Sequence, residues 1–348
     1  MERTTSEIAG IKAFDEQGII ALMKDLGQPA FRAKQLIQWI YAKGAHSYDE
    51  MTNLPAALRD ELAARYPLFV PELEERLVSK DGSRKYLVRF ADGTSVETVG
   101  IPSNHRLTVC VSTQAGCNMG CAFCATGKLG LIRSLAPGEI CDQVRIVADD
   151  FGERPTNVVT MGQGEPFMNY DSVLGALRFL NSPDGFNIGA RHLTVSTCGI
   201  LPMIRRFAAE PEQFTLAISL HSAVQKTRNR LMPGVRNYTL DRLHDSVAAY
   251  GEKTRRRPSF EYALIAGQND TDEELEALVE FCKNMLCHVN LIPLNTVSGT
   301  GLKPSTRERA EEFATALGRT GIEVSIRNSR GSDICGACGQ LKQASASK

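Results

Sequence analysis

A chain of 348 residues with 43% hydrophobic side chains is long enough for one large domain or two ordinary ones, and it can bury a real core, which argues against disorder over most of its length. Its 40 basic and 40 acidic residues cancel, so a protein coated in positive charge is excluded while a local basic patch is not. The opening MERTTSEIAG has no apolar run of signal-peptide length and no stretch approaches the roughly 18 apolar residues of a membrane span, so a cytoplasmic protein is expected, with its ten cysteines reduced and free for metal or thiol chemistry.

Residues 1 to about 70 read as helical. FRAKQLIQWIYAKG (31 to 44) places Phe31, Leu36, Trp39 and Ile40 on one stripe of a packed helix. MTNLPAALRDELAARYP (51 to 67) reads as a second helix, with Asn53 as its cap before Pro55. KYLVRFADGTSVETVGI then alternates apolar and polar residues around Asp92-Gly93, which predicts a hairpin. From residue 107 the rhythm changes. Strand-like runs fall at 107–112, 157–162, 192–197, 215–220, 260–265 and 289–294, separated by helix-like segments such as 138–150 and 271–286. That alternation implies an α/β fold of parallel strands joined by crossovers. Six units predict a partial α/β barrel; a doubly wound sheet fits the same pattern.

In α/β barrels the functional residues gather where the strands end. The first strand is followed by the cysteine loop CNMGCAFC, residues 117 to 124, and the second by GQGEP, Gly162 to Pro166. The third ends at Ser196, the fourth at Ser219, Leu220 and His221, and the sixth at Asn295. All are polar or glycine-rich, and all are expected at one mouth.

Cys117, Cys121 and Cys124 offer three thiolates spaced C-x3-C-x2-C. Structural zinc wants four ligands, which the sequence could assemble only by pairing Cys121 and Cys124 with Cys335 and Cys338, about two hundred residues away, leaving Cys117 idle. An iron–sulfur cube held by three cysteines keeps one iron open, and an open metal position is where chemistry happens. The cluster is the better reading of the spacing.

The cysteine motif, with an aromatic before its last cysteine, resembles the radical S-adenosylmethionine (SAM) superfamily. There SAM chelates the open iron, and an electron from the cluster cleaves it to a 5′-deoxyadenosyl radical. RLTVCVSTQAGC, FRAKQLIQWIY, DEMTNLP and the terminal ACGQL together resemble the RlmN family of RNA adenosine C2-methyltransferases and its C8-methylating relative Cfr, over about residues 20 to 341. The resemblance implies a 4Fe–4S cluster on Cys117, Cys121 and Cys124, and SAM held by Gly164, Glu165, Ser196, Ser219, Leu220, His221 and Asn295. It implies Cys338 as methyl carrier, Cys110 as the thiol that resolves it through a disulfide, and Glu97 of VETV as proton acceptor. The carrier has a chemical reason: adenine C2 is electrophilic and cannot attack a sulfonium methyl, whereas a thiolate can. The resemblance also implies that two SAM are consumed per methylation.

The resemblance also implies 23S rRNA and tRNA as substrates, an electron donor such as flavodoxin or ferredoxin, a monomer, and no membrane. It divides the chain into an RNA-binding helical region (1–70), a hairpin region carrying Glu97 (71–106), the barrel (107–330) and a tail carrying Cys338 (331–348). A zinc-stabilised RNA-binding module without catalysis is the alternative of a different class. Without the resemblance, Glu97 reads as a solvated charge and Cys110 as a core residue. Cys141, Cys198, Cys282 and Cys287 read as core or half-buried, His221 as a shaping residue, and Cys335 as a surface residue. The basic runs KTRNR (226–230) and KTRRRP (253–258) read by themselves as solvated faces, and in an RNA enzyme as phosphate contacts. The target base is expected to leave its stack to reach the mouth.

Overall fold

The computed structural model describes residues 8–342; the SASK run and the charged start of the chain lie outside them. The N-terminal helices are α1 (Glu16–Asp25), α2 (Phe31–Ile37) and α3 (Ala56–Arg65). Asp15 caps α1 by accepting the Gly18 N–H. Helix α2 runs straight into a π-turn at Gln38–Ala42. Its buried stripe is Ala33, Leu36, Ile37 and Ile40, spaced i, i+3, i+4, i+7, so Phe31 falls off the stripe and is 54% exposed. Asn53 does not cap α3. Its side chain accepts the Trp39 indole N–H at 2.6 Å, and Pro55 holds the N-cap position.

Four antiparallel strands follow: β1 (Glu72–Val78), β2 (Arg84–Arg89), β3 (Ser95–Ser103) and β4 (Arg106–Cys110). The predicted Asp92-Gly93 hairpin joins β2 to β3, with Gly93 at φ +85°. The expected single hairpin is thus part of a meander whose last strand is the first strand of the barrel. A separate two-stranded ribbon, β5 (Gln114–Cys117) and β6 (Gly130–Ser134), flanks the cysteine loop.

The barrel strands are β4, β7 (Asn157–Thr160), β8 (Leu193–Thr197), β9 (Thr215–Ser219), β10 (Ser259–Leu264), β11 (His288–Pro293) and β12 (Glu323–Ile326), all parallel. The strand order β1-β2-β3-β4-β7-β8-β9-β10-β11-β12 advances in one direction. A doubly wound sheet reverses direction at a switch point, so that alternative is excluded. The six expected strands are all present, and β12 adds a seventh. Its EVSI is only four residues long and half-buried, too little apolar signal to stand out. The sheet is not closed, since β1 and β12 remain its edges.

Seven helices follow the ribbon: α4 (Pro137–Phe151), α5 (Tyr170–Asn181), α6 (Leu201–Phe207), α7 (Gln225–Leu231), α8 (Leu240–Thr254), α9 (Asp272–Cys282) and α10 (Arg307–Arg319). α9 stops short of the predicted residue 286 because Asn284 adopts φ +61°. Helix α4 buries Ile140, Val144 and Val147 in one continuous core with strand residues such as Val109 and Val158, and its Val147 and Phe151 cover Gly100 of β3. Each such side chain contributes about 1.5–3 kcal/mol on burial. The N-terminal helices dock on the outside of α4 and α5. Lys12 pairs with Asp142 at 2.6 Å, Tyr41 stacks on Phe179 at 4.0 Å, and the Arg145 guanidinium donates to the Tyr41 carbonyl. No helix among the described residues is long and apolar enough to cross a membrane.

Candidate active site

Parallel strands end on one face, and the loops beyond β4, β7, β8, β9 and β11, with Glu261 and Ala263 of β10, line one cavity there. The ribbon aims the cysteine loop into it. Gly116, at φ +76°, sits where a Cβ would lie 1.9 Å from the Gly130 carbonyl oxygen, so the ribbon closes only around glycine. Backbone hydrogen bonds then pin the loop on three sides. Ala122 N–H donates to the Leu231 carbonyl at 2.9 Å, Gly234 N–H to Met119 at 2.9 Å, and Ala125 N–H to Gly339 at 2.8 Å. Cys117, Cys121 and Cys124 all line the cavity.

The GQGEP turn after β7 is locked to residues 111–114. Gly162 N–H donates to the Val111 carbonyl at 3.0 Å, and Glu165 N–H donates to the Gln114 side chain at 2.9 Å. Gly164 adopts φ +100°, with a would-be Cβ 2.7 Å from that of Gln114, so a side chain is excluded twice over. Glu165 is buried. Its carboxylate accepts N–H bonds from Phe167 at 3.0 Å and Cys198 at 2.7 Å. Burial raises its pKa, and those N–H groups pull in the other direction.

Ser196, Ser219, His221, Asn295 and Cys338 line the same cavity with Gly164 and Glu165. Leu220 does not. Its side chain is fully buried and its N–H donates to the Glu261 carbonyl, because strand alternation turns it outward between Ser219 and His221. His221 Nδ1 accepts the Ala263 N–H at 2.9 Å, and burial lowers its pKa to about 3. The ring is therefore neutral with its proton on Nε2, and it sits edge-on to Phe123 at 4.5 Å.

Cys338 and Asn295 also line a second, smaller cavity, where they meet Cys110. Asn295 Nδ2 donates to the Cys338 carbonyl at 3.1 Å. The tail is held on both sides: the Thr126 hydroxyl donates to the Leu341 carbonyl at 2.7 Å, and Lys342 N–H donates to Glu97 at 2.5 Å. Leu341 packs with Val99 and Cys110. Burial pushes the Cys110 thiol up to about 12. Glu97 is not a solvated charge. It is buried, pairs with Lys85 at 2.8 Å, and its pKa is raised by burial against the pull of that lysine. Cys335 is exposed and lines neither cavity, which removes the zinc pairing that needed it.

Two ionisable residues of the cavity, Cys198 and Glu261, were not assigned to it by the sequence. Cys198 is half-buried but lines the cavity, hydrogen-bonded to Cys121, a contact that with burial drives its thiol well above the ordinary value. Glu261 faces the cavity from β10; the single charge in the apolar run FEYALI was its signal. Cys141, Cys282 and Cys287 are core residues. KTRRRP precedes β10 and so lies at the opposite end of the strands from the cavity, with Arg256 bonded to Thr215 and Arg257 paired to Glu323. KTRNR forms most of α7, beside the cysteine loop.

The donor set suits a cluster and SAM. Cys117, Cys121 and Cys124 line one cavity, with Cys198 behind Cys121, beside a turn that admits only glycine and a carboxylate able to meet an ammonium group. Burial raises the Cys117 thiol to about 12 and the Cys124 thiol as well, so metal must displace protons to bind there.

Comparison with known proteins agrees. Residues 111–282 match the Radical SAM superfamily, and residues 10–67 match the ribosomal RNA large subunit methyltransferase N-terminal domain. A relative from Alkaliphilus oremlandii, described as "Probable dual-specificity RNA methyltransferase RlmN", is 45% identical over 92% of this chain and 94% of its own length. Relatives of the same description from Symbiobacterium thermophilum and Pelotomaculum thermopropionicum are 47% and 46% identical, over 92% and 96% of this chain and 88% and 91% of their own lengths. The crystal structure of a radical SAM methyltransferase from Sphaerobacter thermophilus superposes with a TM-score of 0.89 at 42% identity, over 96% of this chain and 99% of that one. The superfamily works with a 4Fe–4S cluster and SAM, and the chain is an enzyme of its RlmN family.

Proposed function

We propose that this enzyme methylates C2 of an adenosine in 23S rRNA, and of the adenosine 3′ of the anticodon in tRNA, through a methyl group carried on Cys338, and that it works in the cytoplasm. The observation that supports this reading best is the joining of the two cavities. Cys338 lines the one that holds the cysteine loop and also the one that holds Cys110. A methyl carrier must reach SAM and then a resolving thiol, and no other thiol lines both.

Cys117, Cys121 and Cys124 would hold the cluster, which would supply the electron for SAM cleavage. Glu165 receives the SAM ammonium group, and Ser196, Ser219, His221 Nε2–H and Asn295 offer the polar contacts around it. Cys338, exposed at the mouth, takes the methyl group on its sulfur. Glu97 removes the ring proton after the carbon–carbon bond forms, and Cys110 attacks the Cys338 sulfur to release the product. For Glu97 to act, the Lys342 N–H that occupies it must give way to the base. Lys226 and Arg230, exposed on α7 beside the mouth, are placed to meet phosphates. The N-terminal helices supply a second surface for folded RNA. A one-electron donor such as flavodoxin or ferredoxin reduces the cluster, and the working unit is a monomer.

RNA from a strain whose only such enzyme is this one should contain 2-methyladenosine by nucleoside mass spectrometry. A product that is mainly 8-methyladenosine replaces this reading with the Cfr-like one. Glu97→Gln should keep the methyl group on Cys338, seen by peptide mass spectrometry, while product formation falls to background. Because the active form of Glu97 is the carboxylate and burial raises its pKa, the product-forming rate should climb with pH through a value above the usual carboxylate range. Undiminished product from Glu97→Gln assigns the proton to another group.

A further inference from the structure

The basic run KTRNR does not present one charged face. On α7, Lys226 and Arg230 are exposed, but Arg228 is 1% exposed and is among the largest fully buried side chains. Its Nη2 donates to the Cys198 carbonyl at 2.7 Å and approaches the Ser219 carbonyl at 3.5 Å. Its Nε is buried without a partner. Among the described residues it forms no ion pair with a carboxylate, and the groups near it that can carry negative charge are the thiols of Cys198 and Cys121. Arg228 lines neither cavity, so it stands behind Cys198 and Ser219 rather than against a ligand.

A buried charge without a counter-charge costs several kcal/mol, and an arginine cannot escape that cost by losing its proton. Two carbonyl contacts satisfy part of its hydrogen-bonding but leave its charge unbalanced. The cysteine loop is where an anion belongs, because three thiolates outweigh the charge of an oxidised cube and reduction adds one more negative charge.

We infer that Arg228 is the built-in counter-charge of the cluster held by Cys117, Cys121 and Cys124, and that it sets how readily the cluster accepts its electron. This rests on the cluster assignment above. A fixed cation in a poorly solvated interior stabilises the more negative, reduced form more than the oxidised one, so it raises the midpoint potential. Lys226 and Arg230, in solvent on the same helix, are screened and contribute much less. The electron itself comes from an external one-electron reductant.

The test is a redox titration of the reconstituted full-length protein against dithionite-poised mediators, followed by visible absorbance and electron paramagnetic resonance. Arg228→Gln keeps an N–H donor for the Cys198 carbonyl and removes the charge. It should hold iron at the wild-type level while its midpoint moves negative by at least a tenfold change in the reduced-to-oxidised ratio, 59 mV for one electron. Arg228→Lys should keep most of the wild-type value, and Lys226→Gln should barely move it. An Arg228→Gln protein with full iron and an unchanged midpoint reduces Arg228 to a backbone tie. If Arg228→Gln loses its iron, Arg228→Lys decides, because it keeps the charge without the fork: a near-wild-type midpoint supports the inference and a strongly negative one overturns it. A wild-type protein that takes up no iron sinks the cluster assignment instead.

Discussion

Cys121→Ala should purify with less than the full iron complement of the wild type and release no 5′-deoxyadenosine above background when given SAM and a reductant. Cys117→Ala and Cys124→Ala should behave alike, because an iron–sulfur cube held by three thiolates has no ligand to spare. The structure adds a complication at Cys121. The Cys198 thiol is bonded to it and faces the same cavity, close enough to offer a substitute ligand. The decisive protein is therefore Cys121→Ala with Cys198→Ala, compared with Cys198→Ala alone. The single Cys198 variant should keep its iron, since that thiol is not part of the three-residue set. The double variant should lose iron entirely. Full iron content and undiminished SAM cleavage in the double variant would show that the metal lies elsewhere. A complementary readout is proton release: burial raises the Cys117 and Cys124 thiols, so cluster assembly must expel protons and should slow as pH falls.

Much of this arrangement was legible in the chain because strand ends carry their own punctuation. The parallel strands announce themselves as short apolar runs, and the polar or glycine-rich residue after each marks the mouth. Ser196, Ser219, His221 and Asn295 were found that way, and all face the cavity. Leu220 shares that strand end without facing the cavity, because alternation along a strand puts only every second side chain on one face. Glu97 and Cys110 were invisible to spacing. Their setting depends on β3 pairing with β4, where Val99 opposes Cys110, and on a tail more than two hundred residues later folding back onto both. Arg228 shows the opposite failure. A run of basic residues reads as a solvated face, yet helical rotation turns the middle one inward to Cys198. Asn53 shows how a local rule loses to a tertiary one: a good capping residue was claimed by the Trp39 indole.

Cys110→Ala combined with Cys335→Ala should accumulate a covalent protein–RNA adduct, seen as a shifted band on a denaturing gel with labelled RNA. The expectation follows from the roles proposed above, with Cys338 as methyl carrier and Cys110 as resolving thiol. When the methylene carbon bridges Cys338 and the base, the Cys110 thiolate attacks the Cys338 sulfur. A sulfur–sulfur bond forms, the sulfur–methylene bond breaks, and its electron pair passes to the methylene carbon, which takes up a proton to become the product methyl group. A dithiol reductant must then reopen the Cys110–Cys338 disulfide before the next turnover. Cys110 and Cys338 line one small cavity, so they are the pair placed for this exchange. Burial holds the Cys110 thiol near 12, which keeps it protonated and idle until the tail and base rearrange around it. Cys335 lies three residues from the carrier and is exposed outside both cavities. Its closeness in sequence makes it the thiol that could substitute at the same sulfur, which is why the double variant is cleaner than Cys110→Ala alone. Cys338→Ala is the opposite control: it has nothing to methylate, so it should give neither methylated protein nor adduct nor product. Normal turnover by the double variant, with no adduct, would return Cys110 to the role of a buried strand residue packed against Leu341.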